Sequence, residues 1–195
     1  MNALTDFSHS LRFIATATRY PLKMGAIWPS SPELAKAMAD QVDPQIGGPI
    51  IELGSGTGSI TKALIERGID ESRLILIESH PHFFSDLCAR YPKAQCFCED
   101  AFALQKIAER NDFPKVAAII SGLPLRTQSK TQRQNLVRTG LRLLKPEAPF
   151  IQFSYGLDPP VDGRDLNVQP FPVKTIWKNI PPARIWVYRD LAHSG

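Results

Sequence analysis

Ile50-Ile51-Glu52-Leu53-Gly54-Ser55-Gly56-Thr57-Gly58 reads as a short apolar strand running straight into a glycine-rich turn and then a helix. Glycine at alternate positions lets the backbone adopt positive φ and lets a ligand approach the main chain closely. The spacing is G-x-G-x-G, which departs from the G-x-G-x-x-G of dinucleotide-binding turns and lacks the Gly-Lys-Ser/Thr ending of an ATP-binding loop. Glu52, an acid at the end of the strand, would repel a pyrophosphate but can pair with a cation. The stretch therefore predicts a positively charged, phosphate-free cofactor.

Outward from this turn, short apolar runs alternate with helical patterns, the βαβ signal. Strands are predicted at 49–53, 73–78, 95–98, 116–121 and 149–155, with helices between them. Residues 59–67 place Ile60, Ala63 and Leu64 on one helical face, Pro81 opens a helix reaching Arg90, and 130–144 gathers Val137, Leu141 and Leu144. The C-terminal stretch breaks the rhythm. Residues 173–180 and 184–189 are two β-like runs separated by Pro181-Pro182, which must lie in a connection or at a sheet edge, and 156–170 reads as loop. The expected fold is α/β, a Rossmann-like seven-stranded sheet of five parallel strands plus a C-terminal antiparallel hairpin, with helices on both faces.

A chain of 195 residues has room for one domain, and 43% hydrophobic against 22% charged residues excludes wholesale disorder. The longest strictly aliphatic run, 116–120, is far too short to cross a bilayer, and the N-terminus lacks the apolar core of a secretory signal. Cys88, Cys96 and Cys98 do not form a disulfide framework, so a cytoplasmic location is expected. The pair Cys96-x-Cys98 reads as small core residues on one strand face. His80 and His82, flanking Pro81, read as exposed residues at a helix start, and no metal is expected.

Three further strand ends carry ligand-type residues. The second ends in Glu78-Ser79, where a carboxylate can hold two ribose hydroxyls. The third ends in Glu99-Asp100-Ala101, where Asp100 can accept an adenine amine. The fourth ends in Ser121-Gly122-Leu123-Pro124-Leu125, where a substrate should enter. Taken in order, these motifs resemble the class I S-adenosylmethionine-dependent methyltransferases over roughly residues 48–155. The resemblance implies an S-adenosyl-L-methionine cofactor contacted by Glu52, Gly54, Ser55, Gly56, Thr57, Gly58, Glu78, Ser79, Asp100, Ala101 and Ser121. Gly25 and Ser31, from the segment before the first core helix, complete that set.

The fourth strand end departs from the Asn/Asp-Pro-Pro-aromatic motif of base-methylating enzymes and offers no stacking platform, which argues against nucleic acid. Together with 23–35 (KMGAIWPSSPELA), SGLPL and the WKNIPPA run at 177–183, the chain resembles small bacterial phospholipid N-methyltransferases acting on phosphatidylethanolamine. That likeness implies methylation of the ethanolamine amine toward phosphatidylcholine. Two charge patterns suit a lipid surface. Residues 1–31 form an expected amphipathic lid segment ahead of a methyltransferase domain at 32–195. Leu4, Phe7, Leu11 and Ile14 share one side of it, near Arg12, Arg19 and Lys23. The segment 126–145 carries six basic residues, Arg126, Lys130, Arg133, Arg138, Arg142 and Lys145, and no acid, whereas 66–112 carries nine acids against six bases. Peripheral association with the inner face of the cell membrane, through the N-terminal helix and this basic segment, is the expectation; no protein partner is implied. The N-terminal helix could equally pack on its own domain, and the basic helix could be a solvated face or an RNA contact.

A sulfonium methyl is already activated, so catalysis should consist chiefly of aligning a deprotonated amine with it. Ser121, Tyr155 and the backbone around Gly122 are candidates to contact that amine, with Tyr20 as a lid residue. Two other readings stay open at this point: an rRNA adenine or small-molecule N-methyltransferase on the same fold, and a noncatalytic cofactor-binding, membrane-associated module.

Overall fold

A computed structural model describes residues 31–156, 158–166, 168–177 and 182–189. The strands are β1 (Ile50–Leu53), β2 (Leu74–Ile77), β3 (Gln95–Phe97), β4 (Ala118–Ser121), β5 (Phe150–Ser154), β6 (Gln169–Ile176) and β7 (Ala183–Arg189). The helices are α1 (Pro32–Ala39), α2 (Ser59–Glu66), α3 (Pro81–Arg90), α4 (Leu104–Arg110) and α5 (Lys130–Leu143). The strands form one sheet in the order β3-β2-β1-β4-β5-β7-β6, parallel from β3 to β5, with β7 antiparallel to both its neighbours. The expected fold class is what the chain adopts.

Because both faces of the sheet are covered, β1, β2, β4 and β5 are buried at every position rather than at alternate ones. Alternate side chains feed two cores. Ile50, Leu74, Leu76, Ala118 and Ile120 pack with Leu34 and Met38 of α1, Leu64 of α2 and Leu87 of α3. On the other face Ile51, Leu53, Ile75, Ile77 and Ile119 pack with Ile107 of α4 and Val137 of α5. Each such Leu or Ile contributes roughly 1.5–3 kcal/mol by leaving water.

Several boundaries differ from the sequence reading. β6 begins at Gln169, inside the stretch read as loop, and so takes in Pro170 and Pro172. It tolerates them because it is the outermost strand, and its register slips between Pro172 and Lys174. Val116 makes only an isolated bridge to Leu144 before β4 proper. The face that α5 buries is Leu136, Val137 and Gly140, with Leu141 only half-buried. The cysteine reading also needs correcting: β3 stops at Phe97, leaving Cys98 exposed, while Cys96 is half-buried. Burial, and then contact with Cys88, pushes the Cys96 thiol up to about 12.

Candidate cofactor and acceptor site

Register brings the strand ends into one row. Leu53 of β1 pairs with Ile77 of β2 and with Ser121 of β4, and Ile77 pairs with Phe97 of β3. The residues that follow, the glycine turn, Glu78-Ser79, Asp100-Ala101 and Gly122, therefore gather along the carboxyl edge of the parallel strands. That is where ligands bind in open α/β sheets.

The glycine turn needs its glycines. Gly54, Gly56 and Gly58 all have positive φ, at 71°, 51° and 77°. Space is short as well: a Cβ on Gly54 would come within 2.6 Å of Leu123 Cδ2, and one on Gly122 within 2.9 Å of the Gly54 carbonyl. The turn after β1 and the exit from β4 are thus pressed together, and Gly58 caps α2 behind them.

Two buried carboxyl groups lie next to this turn, one bonded to the turn itself and one to the helix that follows it. Glu78, 2% exposed, accepts from the Gly56 N–H at 2.8 Å and from the His80 N–H at 2.7 Å. Glu52, 1% exposed, accepts from the Thr61 hydroxyl at 2.7 Å through Oε2, while its Oε1 has no partner. Burial raises the Glu52 carboxyl to about 8, with the Thr61 hydrogen bonds opposing and the nearby Glu78 adding to the rise. The Ser55 hydroxyl is also buried without a partner. A buried oxygen left unpaired costs free energy until something pairs with it.

The remaining predicted residues are placed as follows. Asp100 is exposed and accepts from the Phe102 N–H at 2.9 Å, and Ala101 is buried beneath it. Thr57 and Ser79 are exposed. Ser31 caps α1 by accepting from the Leu34 N–H at 3.2 Å. Ser121 is wholly buried, with its hydroxyl 3.4 Å from the Leu123 N–H, so the β4 exit presents the backbone of 122–124 rather than the serine side chain. Tyr155 is half-buried, edge-on to Phe153 at 5.3 Å. Tyr20, Gly25 and the amphipathic run before residue 31 lie outside the described residues. His80 and His82 are exposed, and His82 Nδ1 lies 3.1 Å from Asp86. Among the described residues no three metal-ligating side chains converge.

Sequence reading missed Thr61, Gln152 and Tyr91. Gln152, fully buried in β5, donates to the Leu123 carbonyl at 2.9 Å and so ties down the β4 exit. Tyr91 reaches the Gly58 carbonyl, and Arg90 donates to the Thr57 carbonyl at 2.8 Å, tying α3 to the turn. A glutamine in the middle of an apolar strand was the visible signal for Gln152. Thr61 carried none beyond being polar on an apolar helix face.

No protein-family profile matches the chain. Among solved structures, the N-methyltransferase NodS from Bradyrhizobium japonicum WM9 in complex with S-adenosyl-L-homocysteine superposes with a TM-score of 0.63. It is 14% identical, and the match covers 92% of this chain and 98% of that one. The fold is that of the class I methyltransferases. A second structure with the class I methyltransferase fold, the Burkholderia thailandensis 1,6-didemethyltoxoflavin-N1-methyltransferase, gives a TM-score of 0.63 at 13% identity, covering 97% of this chain and 91% of that one. Among curated proteins, the ornithine lipid N-methyltransferase of Singulisphaera acidiphila is 26% identical over 145 residues, covering 73% of this chain and 76% of its own. The turn's own chemistry fits the cofactor of class I methyltransferases. S-adenosylmethionine carries cationic groups for which the unpaired Glu52 and Ser55 oxygens would be acceptors, and no phosphate for a Glu52 carboxylate to repel.

Proposed function

We propose that the chain is an S-adenosylmethionine-dependent N-methyltransferase whose acceptor is the primary amine of a membrane-lipid headgroup. The methyl-transfer part is carried by the buried, unpartnered oxygens of Glu52 and Ser55 at the glycine turn. The lipid part is supported by the ornithine lipid N-methyltransferase that aligns with three quarters of either chain. Phosphatidylethanolamine is the acceptor suggested by the sequence motifs, and the named relative favours an ornithine lipid as a second reading. Both present an aliphatic primary amine.

The bound cofactor would supply an activated methyl group with a good leaving group. The chain's residues then have two tasks. Glu52, Glu78, Ser55 and the turn's backbone would hold the cofactor, with Asp100 at its adenine end. The β4 exit, fixed by Gln152 through Leu123 and by Gly122 through its N–H to the Leu53 carbonyl, would position the amine. An ammonium must lose its proton before attack, and partial desolvation of the amine on binding would lower its affinity for that proton.

Among the described residues no helix is long and apolar enough to cross a membrane. We further propose that the chain visits its substrate reversibly at the inner membrane surface. The test uses labelled S-adenosylmethionine with vesicles of phosphatidylethanolamine, vesicles of ornithine lipid, or RNA, followed by lipid extraction. Label should enter the lipid phase. Label confined to RNA, or absent from both lipids, would overturn the reading. Glu78→Ala should abolish cofactor binding in calorimetry, and unchanged affinity would defeat the assignment of the turn.

A further inference from the structure

The structure divides the basic segment 126–145 in two. At 14 residues, α5 is about 21 Å long, and it begins at the carboxyl edge of the sheet. Arg138, Arg142 and Lys145 therefore lie toward the far edge, where with Lys115 they line a separate cavity of about 720 Å³ remote from the glycine turn. Arg126, Lys130 and Arg133 stay at the carboxyl edge, around a cavity of about 290 Å³ closed by residues 158–162.

We propose that Arg126, Lys130 and Arg133 form a subsite for the phosphate of the acceptor's headgroup, so that the acceptor is an amine carried on a phosphodiester. This rests on the reading of the chain as a lipid N-methyltransferase and narrows it. The cavity adjoins the acceptor side directly. Its wall is the loop that leaves β5 after Ser154, held by Arg126 Nη2 donating to the Asp158 carbonyl at 2.8 Å and by the Ser154 hydroxyl at 3.3 Å from the same oxygen. Lys130 and Arg133, three residues apart, project from one side of the first turns of α5. Arg133 Nε is buried and has no acceptor, which leaves that guanidinium short of a partner.

The charge balance points the same way. Cations at a helix N-terminus oppose the helix dipole, yet the first turn of α5 holds no acid to offset them. Two acids line the cavity. Asp162 is engaged by Arg164 at 2.7 Å, which holds its carboxyl low, at about 2, and Asp158 remains. Three cations therefore stand against two carboxylates around this cavity, with the helix dipole adding to the positive field. A phosphodiester supplies one negative charge and two acceptor oxygens, which an arginine fork can engage in pairs. Pro159, Pro160 and Val161 give the cavity an apolar wall for the glycerol side of such a headgroup. An ornithine lipid presents its amine without a phosphate and so offers these cations no phosphodiester oxygens.

Calorimetry on the full chain with glycerophosphoethanolamine, with inorganic phosphate and with a short RNA tests the subsite without requiring turnover. Glycerophosphoethanolamine should bind, and Arg133→Gln should weaken it about tenfold, the loss of one charge-assisted contact. The exposed pair Arg126→Gln and Lys130→Gln should do the same if Arg133→Gln does not fold. No binding by the intact chain, or unchanged binding in all three variants, would overturn the subsite. Inorganic phosphate or RNA binding as tightly as glycerophosphoethanolamine would overturn the headgroup assignment. In turnover, the same variants should raise KM for phosphatidylethanolamine and leave ornithine lipid unaffected; equal losses on both would also overturn it. If neither lipid is methylated, the functional reading fails while the binding result still judges the subsite.

Discussion

Glu52 has two environments to answer to, an apolar core and the ligand edge of the sheet. Its carboxyl stands near 8 in the folded chain against an ordinary 4.5, because burial disfavours the charge. Between those two pH values the unfolded chain has released this proton and the folded chain keeps it. Stability should therefore fall as pH rises from 4.5 to 8, by up to about 1.4 kcal/mol per pH unit, and level off above. Glu52→Gln should remove that slope in denaturant titrations run across the range; a slope that persists would assign it to another group. Affinity for a cationic cofactor should rise through the same window, since the cation favours the ionised carboxylate. At Gly54 the limit is steric and conformational, so Gly54→Ala should cost about 1–3 kcal/mol and weaken cofactor binding with it. Thermal melts with and without cofactor check both.

At the scale of elements, α5 shows how little its own sequence favours its position. It is capped well: Ser129 accepts from the Gln132 N–H at 3.2 Å, and Gln132 Oε1 receives from Ser129 in return. Ser129→Ala should cost about 1 kcal/mol by denaturant melt. It then docks through Gly140, where a Cβ would sit 2.5 Å from the Phe150 ring. Gly140→Ala should cost roughly 1–3 kcal/mol through that collision, and a neutral effect would mean that helix and sheet can part at no cost. The sequence reading gathered Val137, Leu141 and Leu144 on one helical face because periodicity counts apolar residues. It could not see that a glycine makes the closest approach. β6 was truncated for a similar reason: Pro170 and Pro172 mark loop until the strand is known to be outermost.

On the scale of the whole molecule, the parallel strands deliver their candidate ligand residues to one edge, and the β6–β7 hairpin turns back at that edge with Trp177 75% exposed. With Arg126, Lys130 and Arg133 also toward this edge, the chain should bind anionic vesicles in a salt-dependent way. Flotation should be strong at low ionic strength and largely lost near about 0.5 M salt, where screening shortens to a few ångströms. Binding that ignores salt would assign attachment to apolar contact instead.

The seven-stranded fold and the order of its ligand motifs were legible from the sequence, because apolar period, glycine spacing and acids at strand ends are local signals. Glu52, Glu78 and the glycine turn were placed by those signals alone. The partners of these residues were not: Thr61, Arg90 and Tyr91 act on groups brought to them by register and helix packing, and no spacing along the chain encodes those approaches. Charge followed the same rule. The sequence determined that 126–145 is basic. Only the tertiary structure decided which three of its cations stand at the carboxyl edge of the parallel strands, because a helix sends its two ends to opposite edges of the sheet it crosses.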